Sequence, residues 1–393
     1  MKRFVSIMLA LMLAFGVCAI SASADDAATL KFDANGEFKI MHLTDCQDIY
    51  PANTTMLKFI DATLKKYQPD LVVLGGDNTV YDDGMETSIA ELVSVFVKNE
   101  TYFTLVFGNH DHQQDLTDDE QLAFYQQYGG KYCLAYDDEP DLTGTATHAL
   151  SVMGSKSGKA ELMLYMFDSN QYVTVEKFED EYDCVNPDQI AWYIKTSKKA
   201  ESENGKVVPA LAFQHIVVGE VYEALFHESA VDLGALTPKT GGKMYSFFPR
   251  TENILDGFLF EFPCPGYYNH GQFAAMVDRG DVVAIFSGHD HINSYTTELD
   301  GIKIINTPGA TYHSYGNEIT RGMRMITVKE SDPRNIETEV VTVSQFAIDN
   351  KDFAEDAGID TFSAGFMLFL GDILLALNEV TKGFSSIISL IFK

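Results

Sequence analysis

Two short segments place oxygen and nitrogen donors directly after apolar runs. Gly75-Gly76-Asp77-Asn78 follows residues 71–74, and Gly108-Asn109-His110-Asp111 follows residues 102–107. Apolar runs of this length that end in glycine and polar residues predict buried parallel strands feeding loops. A carboxylate, an amide and an imidazole on such strand ends form a rigid donor platform, which is the chemistry of metal binding. The pattern recurs three times. Asp45 and Gln47 follow the run 38–43, His215 follows 208–213, and His289 and His291 follow 282–286. Five donor groups at five strand ends predict a single site that holds metal.

The elements that must position these donors are readable around them. Residues 38–43 form a strand. A helix over 54–67 follows, capped by Asn53 or Thr54, with Met56, Leu57, Ile60 and Leu64 on one face. Strand 71–74, helix 86–97 and strand 102–107 complete a βαβαβ rhythm. That rhythm predicts an α/β fold with parallel strands and ligands at their carboxyl ends. A polar helix is expected over 118–128, a hairpin over 147–153 and 161–167, and a helix from Pro187 to about Lys199. Residues 222–249 read as a long irregular excursion over the site, and further strands are expected at 302–306, 323–328 and 338–343.

The two ends differ from the middle. Residues 1–24 have a charged start at Lys2 and Arg3, an apolar stretch, and Ala22-Ser23-Ala24 as a cleavage-type site, so they read as a secretory signal peptide. The tail, residues 350–393, has apolar stretches at 362–377 and 384–392 broken by Asp372, Asn378, Glu379, Lys382 and Gly383. Those breaks argue against a clean transmembrane span. They leave peripheral contact with a membrane through 362–393, or packing onto the domain itself. The expected organisation is therefore signal 1–24, one catalytic domain 25–349 and the tail.

The formal charge is −29, and removal of residues 1–24, which carry Lys2 and Arg3 and no acid, takes it to −31. Such a chain lacks the clustered Lys and Arg that nucleic acid requires, so no nucleic-acid partner is expected. A phosphate-bearing ligand would need metal ions to offset this field. Beyond residue 24 the cysteines are Cys46, Cys133, Cys184 and Cys264, none at C-x-x-C spacing. Zinc-ribbon and thioredoxin chemistry are thereby excluded, and the disulfide pairing is left open. Cys46 reads as a spacer between the donors Asp45 and Gln47.

Asp45-Cys46-Gln47, Gly76-Asp77, Gly108-Asn109-His110-Asp111, His215 and Gly288-His289-Asp290-His291 together resemble the motif series of the calcineurin-like metallophosphoesterase superfamily. The resemblance is greatest to its single-domain branch related to purple acid phosphatases, and it covers residues 36–345. It implies an αββα two-sheet sandwich with metals at the strand carboxyl ends. Carried over by position, Asp45, Gln47 and His291 would hold one metal, Asn109, His215 and His289 a second, and Asp77 would bridge them. Two cations ~3.5–4 Å apart repel unless a carboxylate and a hydroxide lie between them. That bridging hydroxide would be the nucleophile toward phosphorus. His110 would serve as general acid or phosphoryl donor, Asp111 would orient it, and His112 and His270 would border the substrate pocket.

The resemblance thus implies a phosphoesterase with two divalent or mixed-valence ions (Mn, Fe or Zn); the signal peptide adds export to a secreted or cell-surface location, and the acidic chain and pocket loops favour small phosphoesters. Two positions depart from the family pattern. Gln47 stands where a His is usual; a neutral amide suits zinc poorly and manganese or iron better, and Asp48 is an alternative donor. Val80 stands where tyrosinate-ligated iron enzymes carry Tyr, which implies no such colour. The departure at Gln47 keeps open a second reading, a non-catalytic cell-surface binding protein on the same scaffold.

Overall fold

Residues 71–75 are apolar or glycine throughout because both faces of their strand are buried. In the computed structural model, which describes residues 29–391 apart from 81–83, 114–115, 176–178, 233–238 and 241, alternate residues of this strand enter two different cores. Leu71 and Val73 face one apolar cluster, Val72 and Leu74 another. The signal peptide expected at 1–24 lies outside the described residues.

Strands β1 (Glu37–Leu43), β2 (Leu71–Gly75) and β3 (Tyr102–Val106) run parallel, joined by helices α1 (Thr54–Tyr67) and α2 (Met85–Lys98). Leu43 pairs with Leu74 and Gly75 with Val106, so the three carboxyl ends finish level and their loops emerge side by side. Helix α1 begins where expected: the Asn53 side chain accepts the Met56 amide at 3.0 Å, and Met56, Phe59, Ile60 and Leu64 are buried.

The remaining elements follow in order: α3 (Asp118–Gly129), β4 (His148–Met153), β5 (Ala160–Met166), β6 (Tyr172–Val175), β7 (Glu179–Tyr182), α4 (Pro187–Asn204) and β8 (Ala210–Phe213). Then come α5 (Val221–Leu225), β9 (Phe226–Glu228), β10 (Lys239–Thr240), β11 (Lys243–Pro249), α6 (Gln272–Arg279), β12 (Val282–Ser287), β13 (Thr296–Leu299) and β14 (Ile302–Asn306). The chain closes with β15 (Gly322–Lys329), β16 (Glu337–Thr342), α7 (Val343–Asp349), α8 (Lys351–Ala357) and α9 (Thr361–Ile391).

Two large sheets result, ordered β16-β15-β1-β2-β3 and β13-β14-β12-β8-β5-β4. Phe38, Ile40, Val73 and Ile326 of the first meet Leu164, Leu211, Phe213 and Phe286 of the second in one apolar layer. The outer face of the first sheet is covered by Phe59, Ile89, Phe96 and Phe346, and that of the second by Trp192, Tyr193, Phe273 and Met276. This is the expected αββα sandwich. Each such buried side chain contributes about 1.5–3 kcal/mol relative to exposure. The layer between the sheets therefore clamps the strand ends that carry the donors.

Three features differ from the sequence expectations. Residues 222–249 contain α5 and a three-stranded ribbon, β10-β11-β9, whose partly exposed strands show weak alternation in sequence. Residues 172–182 form a second hairpin, β6-β7. The tail holds α8 and then, from Thr361, one continuous helix, α9, despite Gly371, Asp372 and Gly383. Cys46, Cys133, Cys184 and Cys264 are all unpaired. The Cys46 side chain is buried in the core beside Met41 and Leu43, where burial holds its thiol protonated, as a spacer should be.

Candidate metal centre

The loops leaving β1 and β2 stay tied together. The Asp45 amide donates to Gly76 O at 3.0 Å and the Gln47 amide to Asp77 O at 2.8 Å. The backbone of these loops and of the one after β12 is unusual: φ is +50° at Asp45, +38° at Gln47, +49° at Asp77 and +71° at His289. Left-handed geometry costs a non-glycine residue on the order of 1–3 kcal/mol, and its concentration in one place marks a site that the scaffold over-determines. Two glycines permit the close approach of the loops. A Cβ on Gly108 would lie 2.3 Å from Asp77 Oδ1, and one on Gly288 would lie 2.6 Å from Asp45 Oδ2.

Asp45, Asp77, Asn109, His215, His289 and His291 converge and are buried. His215 Nε2 lies 3.2 Å from Asp77 Oδ2 and 3.8 Å from Asp45 Oδ1, and His291 Nε2 lies 3.4 Å from Asp45 Oδ1. Two potential ligand groups result, Asp77/His215/His289 and Asp45/Asp77/His291, with donor atoms inside each group within 4.8 Å of one another. They share Asp77. Asp45 Oδ1, Asn109 Oδ1, His215 Nε2 and His289 Nε2 are all buried without a hydrogen-bond partner. Buried polar atoms are seldom left so, and four of them facing one space fit a pair of metal ions.

The imidazoles are held by their other nitrogens. His215 Nδ1 donates to Gly75 O at 2.9 Å, and His291 Nδ1 to Tyr315 O at 2.9 Å, with the His291 ring stacked on Tyr315 at 4.1 Å. A carbonyl partner places the proton on Nδ1 and leaves Nε2 as the ligand atom. The charges interact strongly. Burial disfavours the His215 cation, but Asp77 and Asp45 outweigh it and raise its pKa to about 10. Burial likewise opposes ionisation of Asp77, yet His215 holds that carboxylate well below the usual range. Burial, helped by the His215 charge, depresses His289 to about 3. Burial raises Asp45.

The structure places the other expected residues as follows. Gln47 is buried beside the cluster, with Nε2 3.2 Å from Asp77 Oδ2. Asp48 faces away from the cluster: its carboxylate accepts the Ile49 amide at 3.0 Å and the Asn53 amide at 2.9 Å, and pairs with His313 Nε2 at 3.2 Å. His110 is tied to the cluster through its backbone amide, which donates to Asp77 Oδ1 at 2.8 Å. Its imidazole partner is Gln113, with Oε1 2.7 Å from Nδ1. The orienting contact expected from Asp111 is absent. The Asp111 carboxylate accepts the amides of Gly108 (2.9 Å), Asn78 (3.0 Å) and Thr79 (3.1 Å), and so fastens the β2 and β3 loops to each other.

His112 is held between Asp118 (Nδ1–Oδ2, 2.6 Å) and Asp168 (Nε2–Oδ1, 3.5 Å), apart from the two groups above. Burial opposes its charge, but the two carboxylates prevail and raise its pKa to about 11. His270 is exposed, stacks against Tyr268 at 5.9 Å, and lines a shallow cleft with Cys184, Gln214 and Asn269.

Sequence reading missed the aromatic wall over the cluster. Asn109 Nδ2 donates to Tyr172 OH at 3.0 Å, Gln113 Nε2 to the same oxygen at 3.4 Å, and Tyr182 packs edge-on against His289 at 4.4 Å. Both tyrosines sit on the β6-β7 hairpin and stack on each other at 5.4 Å. The available signal was Asp168-Ser169-Asn170, a polar step directly after the buried strand β5.

A two-sheet sandwich whose strand ends bring together two carboxylate–imidazole groups sharing one aspartate defines a metallophosphoesterase-type protein. The chain belongs to the calcineurin-like phosphoesterase family, whose model matches residues 38–293. It is 29% identical over 342 residues to "Probable inactive purple acid phosphatase 14" of Arabidopsis thaliana, covering 77% of this chain and 78% of that one. It is 25% identical to "Phosphatase DCR2" of Saccharomyces cerevisiae, over 74% of this chain and 49% of that protein. Among solved structures, a dimetal phosphatase from Danio rerio aligns with 77% of this chain and 98% of its own at 14% identity, with a TM-score of 0.45.

Proposed function

We propose that this protein is a hydrolase that cleaves small phosphate esters with two metal ions. The observation that carries the reading is Asp77 shared between two ligand groups, with four unpartnered buried donor atoms around it. Asp45, Gln47 and His291 would hold one ion, Asn109, His215 and His289 the other, and Asp77 would lie between them. Such a pair, when bound, lowers the pKa of water enough to supply a nucleophile near neutral pH and offsets phosphoryl charge.

The protein's own groups do the rest. Asp45 and Asp77 bring negative charge to a site that must attract cations. His110, with Nδ1 held by Gln113, offers a Nε2 proton to the leaving oxygen as the P–O bond breaks, giving the free alcohol and leaving His110 neutral. Tyr172 and Tyr182 wall the Asn109–His289 side and narrow the approach to small esters. Export of the chain is part of the proposal and is supported by the sequence of residues 1–24 alone.

A second reading, a binding protein that retains the scaffold without turnover, is favoured by Gln47 and by the word "inactive" in a relative's name. The experiment that separates them uses the full chain, stripped with chelator and reloaded with manganese, zinc or iron. Hydrolysis of p-nitrophenyl phosphate and of its bis ester is then followed. Metal-restored turnover supports the hydrolase. A folded chain that takes up metal and hydrolyses neither ester overturns it in favour of the binding protein.

A further inference from the structure

Helix α9 carries a straight apolar stripe that the domain does not cover. Its inner side is seated: Ala364 and Gly371 are buried, and Gly371 lies against Ile319 and Phe258. Its outer side presents Phe362, Phe366, Phe369, Ile373, Leu377 and Val380, 40–83% exposed, while Leu374 and Leu375, 39% and 38% exposed, stand off this line. At 100° per residue these six fall within about 80° of one another. In sequence the spacing continues at Phe384, Ile387 and Ile391. Only 11% of the apolar window Thr361–Val380 is buried, which separates it from the core helix of a soluble domain.

We propose that this stripe rests on a lipid bilayer, with α9 lying along the boundary between headgroups and acyl chains. Three observations favour lipid over a second copy of the chain. From Phe362 to Val380 the stripe makes five turns in 18 residues, a period of about 3.6. That spacing keeps it straight along one line, as a plane requires, whereas a long coiled coil needs 3.5 and a supercoil. The turn on which the helix packs also has exposed apolar flanks. Helix α9 packs on the turn Thr251–Asn253, and that turn is flanked by Phe248 and Leu255, 74% and 56% exposed. A formal charge of −29 on each chain opposes self-association. Described α9 carries Asp372, Glu379 and Lys382 as its charged residues, so attraction to anionic lipid contributes nothing and the surface sought is zwitterionic.

The test is flotation of the full chain with phosphatidylcholine vesicles, in low and in high salt, beside the triple variant Phe366→Ser, Phe369→Ser, Ile373→Ser. The native chain should float in both salts. The variant should partition roughly a hundredfold less, because three exposed apolar side chains are lost from the contact. Its near-UV circular dichroism should be unchanged, since the three positions face outward. The proposal is overturned if the native chain stays unbound, if it floats only with anionic lipid, or if the variant floats equally. It is also overturned if the native chain is a dimer that the variant converts to monomer while neither binds vesicles.

Discussion

Replacing Tyr172 by Phe removes one oxygen and tests how the Asn109 ligand is aimed. Asn109 can offer a metal only its Oδ1, and that atom is the one left buried without a partner. The other end of the amide is held by the Tyr172 hydroxyl at 3.0 Å. The stacking of the Tyr172 and Tyr182 rings survives the change, so the loss is confined to the hydrogen bond and its weaker companion from Gln113 Nε2 at 3.4 Å. A bond of this kind is worth about 0.5–1.5 kcal/mol net, a factor of roughly 2–12 in a binding constant. Loss of an outer partner that aims a ligand typically costs about 10–100-fold in metal affinity. Where the two ranges meet, we expect about tenfold weaker binding at one site of the pair and none at the other. Calorimetric titration of manganese into the metal-free chain resolves the two sites. Unchanged affinity at both would refute the aiming role of Tyr172, and an equal loss at both would refute the assignment of Asn109 to one site.

Other outcomes follow from the same geometry. His110→Ala should slow hydrolysis of an alkyl phosphate by about 10²-fold or more, yet leave p-nitrophenyl phosphate nearly unaffected, because that leaving group needs no proton; equal losses on both would remove His110 as the acid. Gly108→Ala puts a Cβ 2.3 Å from Asp77 Oδ1 and 2.7 Å from His215 Cδ2, so bound metal measured by atomic emission should fall below two per chain. Thermal unfolding of that variant should report a destabilisation of about 1–3 kcal/mol. His112, raised from 6.5 to about 11, contributes stability that is complete below pH 6.5 and is lost as pH rises through 11. Denaturation of the metal-free chain should therefore show stability falling with pH above neutrality, at a slope of at most ~1.4 kcal/mol per pH unit from this group, and His112→Gln should lower the slope by that share, leaving the share of His215.

Much of the scaffold was legible because burial on both faces writes itself as an uninterrupted apolar run, as in β2, and because parallel strands must deliver their loops to one edge. The ligand candidates were readable for the same reason: donors stand where such runs stop. What sequence could not give was direction within a loop. Asp111 adjoins His110 in the chain, which suggested a pair. The tight turn at Asp111–Gln113 instead brings residues three apart onto one side, giving His110 to Gln113 and freeing Asp111 for the loop amides. Tyr172 and Tyr182 escaped notice because their hairpin is short and acidic, with no apolar run to announce it. In α9 the polar residues looked like breaks when read along the line. On the helix, Asp372, Asn378, Glu379 and Lys382 fall away from the outer stripe and interrupt nothing.

The left-handed backbone at Asp45, Gln47, Asp77 and His289 bears on the tempo of metal uptake. A cage whose awkward conformations are already imposed by two clamped sheets has no chain rearrangement left to perform when an ion arrives. Entry should then be limited by the ion's release of its own water. Loading would accordingly rank metals by how fast they exchange water.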